Sequence, residues 1–200
     1  MLFRSKRVDA GSWVDISNTT TSHSETPVSA GTWEYRAVVT SGCCAAAYSA
    51  ARTIIVNPLS VGGSVIGGTT PICFGENTGI MALSGHTGSV TKWQKRLNSG
   101  AWSDIVNTNT THSETPISAG TWEYRAVVKS GNCSEVYSAA TTIVVNAGSI
   151  GGSVSGGTTP ICQGSATGLM TLTAHTGSVL KWQKRVNAGV WTDIANTEIT

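Results

Sequence analysis

Charge is scarce in this sequence: 12% of the residues are Asp, Glu, Lys or Arg, and the net charge is +2. An average soluble domain carries about a quarter. Lys and Arg never run longer than two, so the footprint of a nucleic-acid binder is missing. No apolar run approaches the ~18 residues of a membrane span. Met1–Arg7 is basic but leads into no apolar core, so it does not read as a signal peptide. No CxxC or paired Cys/His spacing points to zinc. The Gly-x-Ser-x-Gly elbow of hydrolases and the D-x-D-x-D-G loop of calcium binders are both absent. Nothing in the chain has helical periodicity. These absences remove cofactor, metal and nucleic-acid chemistry from the expectations and leave an architectural problem.

What is present is repetition. Trp13, Trp102 and Trp191 are spaced 89 residues apart, and so are Cys73 and Cys162, and Trp33 and Trp122. A fixed period without gaps marks a tandem array. The sequence divides into 1–57, the back part of a unit; 58–146, a complete unit; and 147–200, the front part of another. The simplest expectation is a window on a longer repeat protein. The alternative is that part-units on neighbouring chains complete one another. Gly, Ser and Thr are abundant and Val and Ile dominate the apolar residues, which favours strands joined by tight turns.

The complete unit reads as seven short strands: Gly63–Ile66, Gly79–Ser84, Ser89–Leu97, Trp102–Ile105, Thr110–Pro116, Thr121–Lys129 and Val136–Asn146. Turn signals such as Asn98-Ser99-Gly100 separate them. Along the sixth, Trp122, Tyr124, Ala126 and Val128 share one face. This pattern predicts an all-β fold of tandem antiparallel β-sandwiches. Joints as short as Pro58-Leu59-Ser60 and Ala147-Gly148-Ser149 limit hinge motion, so the array should be a rod. Gly62-Gly63 is the expected hinge.

The five cysteines follow the period, except Cys43, which stands where the next unit has Asn132. Each complete unit has an early and a late cysteine, and a Cys73–Cys133 disulfide is expected; the alternative is two buried thiols. The partners of Cys44 and Cys162 would lie outside the sequence. A bridge of that span would stabilise the unit by roughly 4 kcal/mol and would imply an oxidising, non-cytosolic location.

Few residues invite a chemical role. His112 beside Ser113 and Glu114 shares letters with a hydrolase triad, but adjacency in sequence is not triad geometry. The plainer reading of His112, His23, His86 and His175 is hydrogen-bonded or solvent-facing residues at strand ends. Trp102 is the candidate for ligand stacking on a sugar ring, against a packing role. Lys92 and Arg96 project opposite Trp93, and Glu123 and Arg125 opposite Tyr124. They form either a lateral contact surface between rods or a solvated ladder of cross-strand pairs.

These residues resemble the Ig-like superfamily. Trp93 lies on the third strand, as the Ig core Trp does, and SAGTWEYRA is similar to the D-x-G-x-Y-x-C corner of the sixth. Trp122 takes the Tyr position there and Tyr124 the Cys position. A closer resemblance is to the Ig-like tandem repeats of giant secreted bacterial surface proteins, including gliding-type adhesins. It rests on PICxG, KWQ with W.DI, and AGTWEYRAVV.SG.C with YS. The resemblance implies export, often by the type IX system, and extracellular display in a stalk or filament on the cell surface. It supplies no catalytic residues, cofactor or metal. The implied partners are neighbouring repeats, identical chains laterally or end to end, and surface polysaccharide. The alternative is a carbohydrate- or ligand-binding module of a secreted enzyme, with binding lost on changing Trp102.

Overall fold

The computed structural model describes residues 3–194, which are strand, turn and loop throughout. The first part holds β1 (Phe3–Val8), β2 (Val14–Ile16), β3 (Gly31–Val39), β4 (Ala47–Tyr48) and β5 (Arg52–Val56), all in one antiparallel sheet. The complete unit holds β6 (Ser64–Gly67), β7 (Ile72–Cys73), β8 (Met81–Ser84), β9 (Ser89–Leu97), β10 (Ser103–Ile105), β11 (Thr111–His112), β12 (Gly120–Lys129), β13 (Val136–Tyr137) and β14 (Thr141–Asn146). In the last part β15 (Ser153–Gly156) pairs with β16 (Met170–Thr173), and β17 (Trp182–Lys184) with β18 (Thr192–Ile194).

The complete unit is an Ig-like sandwich. One sheet has the order β10-β9-β12-β14-β7, with β13 also on β12; the other has the order β11-β8-β6. All pairings are antiparallel except β14 with β7. The alternation read from the sequence explains what meets between the sheets. Val65, Met81 and Leu83 come from the small sheet; Trp93, Trp122, Tyr124, Ile143 and Val145 come from the large one. Trp93, Tyr124, Met81 and Ile143 have no accessible surface, and each such side chain contributes about 1.5–3 kcal/mol through burial.

The two long strands match the sequence reading, β9 at both ends and β12 within one residue. The closing strand does not run unbroken. At Ser138 the hydroxyl accepts from Ala126 N at 2.9 Å while Ser138 N donates to Ala126 O at 2.9 Å. A side chain thus takes over a ladder bond, and β13 and β14 are separate. The expected fifth strand shrinks to the two residues of β11. The parallel strand β7 was not expected, because two residues after Pro71 carry no period.

The turn from β9 has Asn98 and Ser99 at φ of 48° and 59°, and Gly100 N donates to Leu97 O at 2.9 Å. This is the primed turn that matches strand twist. Asp9-Ala10 and Asn187-Ala188 repeat it. Asn98 Oδ1 also accepts Thr121 N at 2.9 Å, tying the turn to β12.

Strand directions fix where the chain enters and leaves. Asn146, at the end of β14, lies beside Cys73 at the Gly120 end of β12. The entering segment Asn57–Ser60 lies at the other end. There Ser130 N donates to Ser60 Oγ at 2.9 Å and Cys133 Sγ is 3.3 Å from Pro58 O. Entry and exit at opposite poles stack the units end to end. Val61 and Thr87 form a two-way backbone bridge at this joint, and Ile150 and Thr176 repeat it at the next.

Two sequence expectations are corrected by this geometry. Gly62-Gly63 is no hinge. A Cβ on Gly62 would lie 2.0 Å from Tyr137 O, and Gly63 N-terminal to β6 has φ of 65° with Ser84 O 2.2 Å from its absent Cβ. The pair is glycine because two backbones close on it. Nor are Cys73 and Cys133 joined: all five cysteines are free thiols. The two sit at opposite poles, separated by the ten residues of β12, roughly 33 Å at ~3.3 Å per residue. A disulfide needs Cα atoms within about 7 Å.

Candidate functional site

Two side-chain clusters stand out in the complete unit, one on each face of the large sheet. The outer one contains every residue singled out for contact. Lys92 Nζ lies 2.8 Å from Asp104 Oδ2, and Gln94 Nε2 donates to Asp104 Oδ1 at 2.7 Å. Gln94 Oε1 in turn accepts from Arg125 Nε at 2.8 Å. Arg96 grips Glu123 with two bonds of 2.6 and 2.9 Å. The Lys92 bond holds the Asp104 carboxyl below its usual range, and the Arg96 bond does the same for Glu123.

Trp102 lies inside this ladder. Its ring has the Arg125 guanidinium 4.0 Å and the Arg96 guanidinium 4.6 Å from the centroid, and Arg125 also covers Tyr137 at 3.9 Å. Such cation–π contacts contribute about 0.5–1 kcal/mol at exposed sites. The structure therefore brings Lys92, Arg96, Glu123, Arg125 and Trp102 together. It also pairs each with a neighbour, so the ladder closes on itself and the indole is covered by cations. The stripe recurs: Arg7 and Arg36 lie over Trp13, and Arg185 over Trp191.

The inner cluster was not anticipated. Lys95, on the same face of β9 as Trp93, places Nζ 2.8 Å from both oxygens of Glu114. Tyr124 OH donates to Glu114 Oε1 at 2.9 Å. His112 packs 5.5 Å from Trp93 and 6.0 Å from Tyr124, with Nδ1 3.3 Å from Asn107 Nδ2. Asn107 donates there, so Nε2 carries the proton and points at Glu114 from 3.5 Å. That distance is too long for a well-formed hydrogen bond, and Nε2 is otherwise unpartnered. Burial pushes the Glu114 carboxyl up, but its donors outweigh this and hold it at about 2. Burial, then the charge of Glu114, pushes Tyr124 up.

This network does not resemble a catalytic triad. The hydroxyl of Ser113 takes no part, and the carboxylate is saturated by donors. Its backbone fixes it further: Thr78 N donates to Glu114 O at 2.8 Å and Glu114 N to Thr78 Oγ1 at 3.1 Å. Glu114 thus ties the small sheet to Lys95 and Tyr124 of the large one. The same set recurs one period earlier as Lys6, Glu25, Tyr35 and His23, with Lys6 Nζ 2.9 and 2.8 Å from Glu25 and Tyr35 OH at 2.8 Å. Strict alternation along β9 places Lys95 inward, and that was the available signal. The Glu114 partnership depends on how the two sheets are aligned.

A cavity of about 500 Å³ lies in the first part against Arg4, Ile16, His23, Tyr35 and Ile54. One period on, these positions are Trp93, Ile105, His112, Tyr124 and Ile143, the inner face that the small sheet covers. The cavity is an uncovered core face. Within it Arg4 replaces Trp93: its guanidinium donates to Thr20 O and to Ser22 O, whereas the Trp93 indole donates to Asn109 O, one period after Thr20.

A family model described as a domain of unknown function, DUF8696, matches residues 5–58 and again 61–147. The chain belongs to that family. The break between the two DUF8696 matches falls at the joint clamped by Ser60 and Ser130. No curated protein matches the chain. Among solved structures, the DUF8696 chain is similar to the crystal structure of chicken CNTN1 FN1-FN3 domains, at 8% identity and a TM-score of 0.40. That match covers 77% of this chain and 61% of the other, so the chain spans less than two thirds of its length. The Ig-like assignment stands on the strand order of the complete unit.

Proposed function

We propose that this chain is a non-catalytic structural segment of an exported bacterial stalk or filament, displayed on the cell surface and serving adhesion in the whole molecule. The observation that supports it is the joint: entry and exit lie at opposite poles, and the loop carrying Gly131 and Cys133 seats on Asn57, the last residue of the unit before it. Such an arrangement transmits tension along strands and converts added units into reach. With strands of this length, each unit adds on the order of 30–40 Å. The saturated Glu114 network reads as a cross-sheet tie, and the closed outer ladder as a solvated face. Neither leaves a reactive group poised for a substrate.

Display is tested on cells. An antibody against the chain should label intact source cells, and brief external protease treatment should release fragments that it recognises. Labelling that appears only after permeabilisation overturns the reading.

A further inference from the structure

The joint shows where each cysteine belongs. Cys133 lies on the loop that grips the preceding unit: its Sγ is 3.3 Å from Pro58 O and 4.0 Å from Asn57 O. The loop is held there by the bond from Ser130 N to Ser60 Oγ and by Gly131. Gly131 has φ of 50° and packs directly on the Asn57 side chain, whose Nδ2 lies 2.1 Å from where a Cβ would stand. The late cysteine of a unit is therefore fixed against the last residue of the unit before it.

The early cysteine sits beside that same residue in its own unit. Asn146, one period after Asn57, is the register partner of Cys73, and its carbonyl accepts Phe74 N at 2.9 Å. Superposing the two facts by the 89-residue period places both cysteines around one carbonyl. The early one comes from the unit that is ending and the late one from the unit that follows. Cys73 lies one strand spacing, ~4.8 Å, from Asn146, and the late cysteine approaches the equivalent carbonyl to 4.0 Å, so the two thiols converge on one residue. Cys73 is exposed at this pole, so it is open to exchange.

We infer that disulfides in this array join consecutive units, Cys73 of one unit to the counterpart of Cys133 in the next. The rule explains why the four cysteines that follow the period are thiols here. Neither Cys73 nor Cys162 is followed in this sequence by a late cysteine of the next unit. Neither Cys44 nor Cys133 is preceded by an early cysteine of the previous one. The bridge forms by thiol–disulfide exchange with a small disulfide such as oxidised glutathione. One protein thiolate attacks and expels a glutathione thiol; the second protein thiolate attacks the mixed disulfide and expels the other. Two protein thiols are oxidised to one disulfide, and one oxidised glutathione is reduced to two thiols. The inference rests on the repeat and the joint, not on surface display.

The test uses the full chain with residues 58–146 duplicated in place, so that one early and one late cysteine flank a joint. After equilibration with oxidised glutathione, non-reducing peptide mapping should join Cys73 of the first copy to Cys133 of the second. Cys73→Ser in the first copy should abolish that peptide; Cys73→Ser in the second should leave it intact. The 200-residue chain, treated alike, should form no intramolecular bridge. Cooperative unfolding, read by tryptophan fluorescence, establishes that each variant is folded. A bridge within one copy overturns the inference, as does a folded duplicated chain whose Cys73 and Cys133 stay thiols or carry only glutathione.

Discussion

β3 and β12 share the sequence GTWEYRAVV, yet they live in different surroundings. In the complete unit β12 is capped by a second sheet, and Tyr124, Ala126 and Val128 lose all accessible surface. In the first part the same residues of β3 are half-buried or exposed. Ile143 has no exposure, while Ile54, its counterpart, keeps 41%. The polar contacts hardly change: Lys6–Glu25 and Lys95–Glu114 are both 2.8 Å, and Arg7–Glu34 and Arg96–Glu123 both 2.6 Å. In-sheet pairing and short-range polar contacts are thus set locally. Apolar burial arrives only when the two sheets close, and that is where most of the stability resides.

The largest test of this contrast is in the core. Ile143→Ala should destabilise the complete unit by about 3 kcal/mol, because it opens a cavity in a closed core. Ile54→Ala, at an uncovered face, should cost below about 1 kcal/mol. Denaturant titration of the two variants compares them directly, and equal losses would dissolve the distinction.

Next comes the cross-sheet tie. Glu114→Gln leaves the Lys95 ammonium on the inner face without its carboxylate, and should cost about 2 kcal/mol, between the values for exposed and buried pairs. Glu25→Gln should cost below about 1 kcal/mol, because Glu25 lines the open cavity where water can replace it. Thermal unfolding of the paired variants reads this difference.

Acid should act through the same group. The folded Glu114 carboxyl sits at about 2, below its ordinary 4.5. A depressed carboxyl contributes stability that is fully present above 4.5 and is lost as pH falls towards 2. After discounting for solvent screening, the loss from this group is about 1 kcal/mol. Unfolding midpoints between pH 5 and pH 2 should fall less steeply in Glu114→Gln than in the parent.

The smallest effect belongs to the outer ladder. Glu123→Gln breaks the Arg96 pair on a solvated face and should shift stability by no more than about 0.5 kcal/mol. A larger loss would mean that this face is covered, and would revive a lateral contact through Lys92, Arg96, Glu123 and Arg125.

How much of this was legible follows the same division. The long strands were readable because Trp122, Tyr124, Ala126 and Val128 alternate along β12 and because the turn signal Asn98-Ser99-Gly100 ends β9. The two-residue strands were not: β7 and β11 are defined by what lies beside them. The 89-residue period identified equivalent cysteines but said nothing of strand direction, which is what puts Cys73 and Cys133 at opposite poles. Of the candidate residues, Lys92, Arg96, Glu123 and Arg125 were expected on one face, and the structure adds Trp102 to it. Their mutual saturation depends on side-chain reach across three strands. The Lys95–Glu114–Tyr124 tie needed the alignment of two sheets, which no local pattern carries.

Hydrogen exchange of the intact 200-residue chain compares β3 with β12 most directly, since their shared sequence cancels intrinsic rates. Closure of two sheets as the source of stability predicts strong protection of Trp122 to Val128 and exchange faster by orders of magnitude at Trp33 to Val39. Equal protection of the two strands would contradict the account, placing the stability of the unit in one sheet and its local contacts.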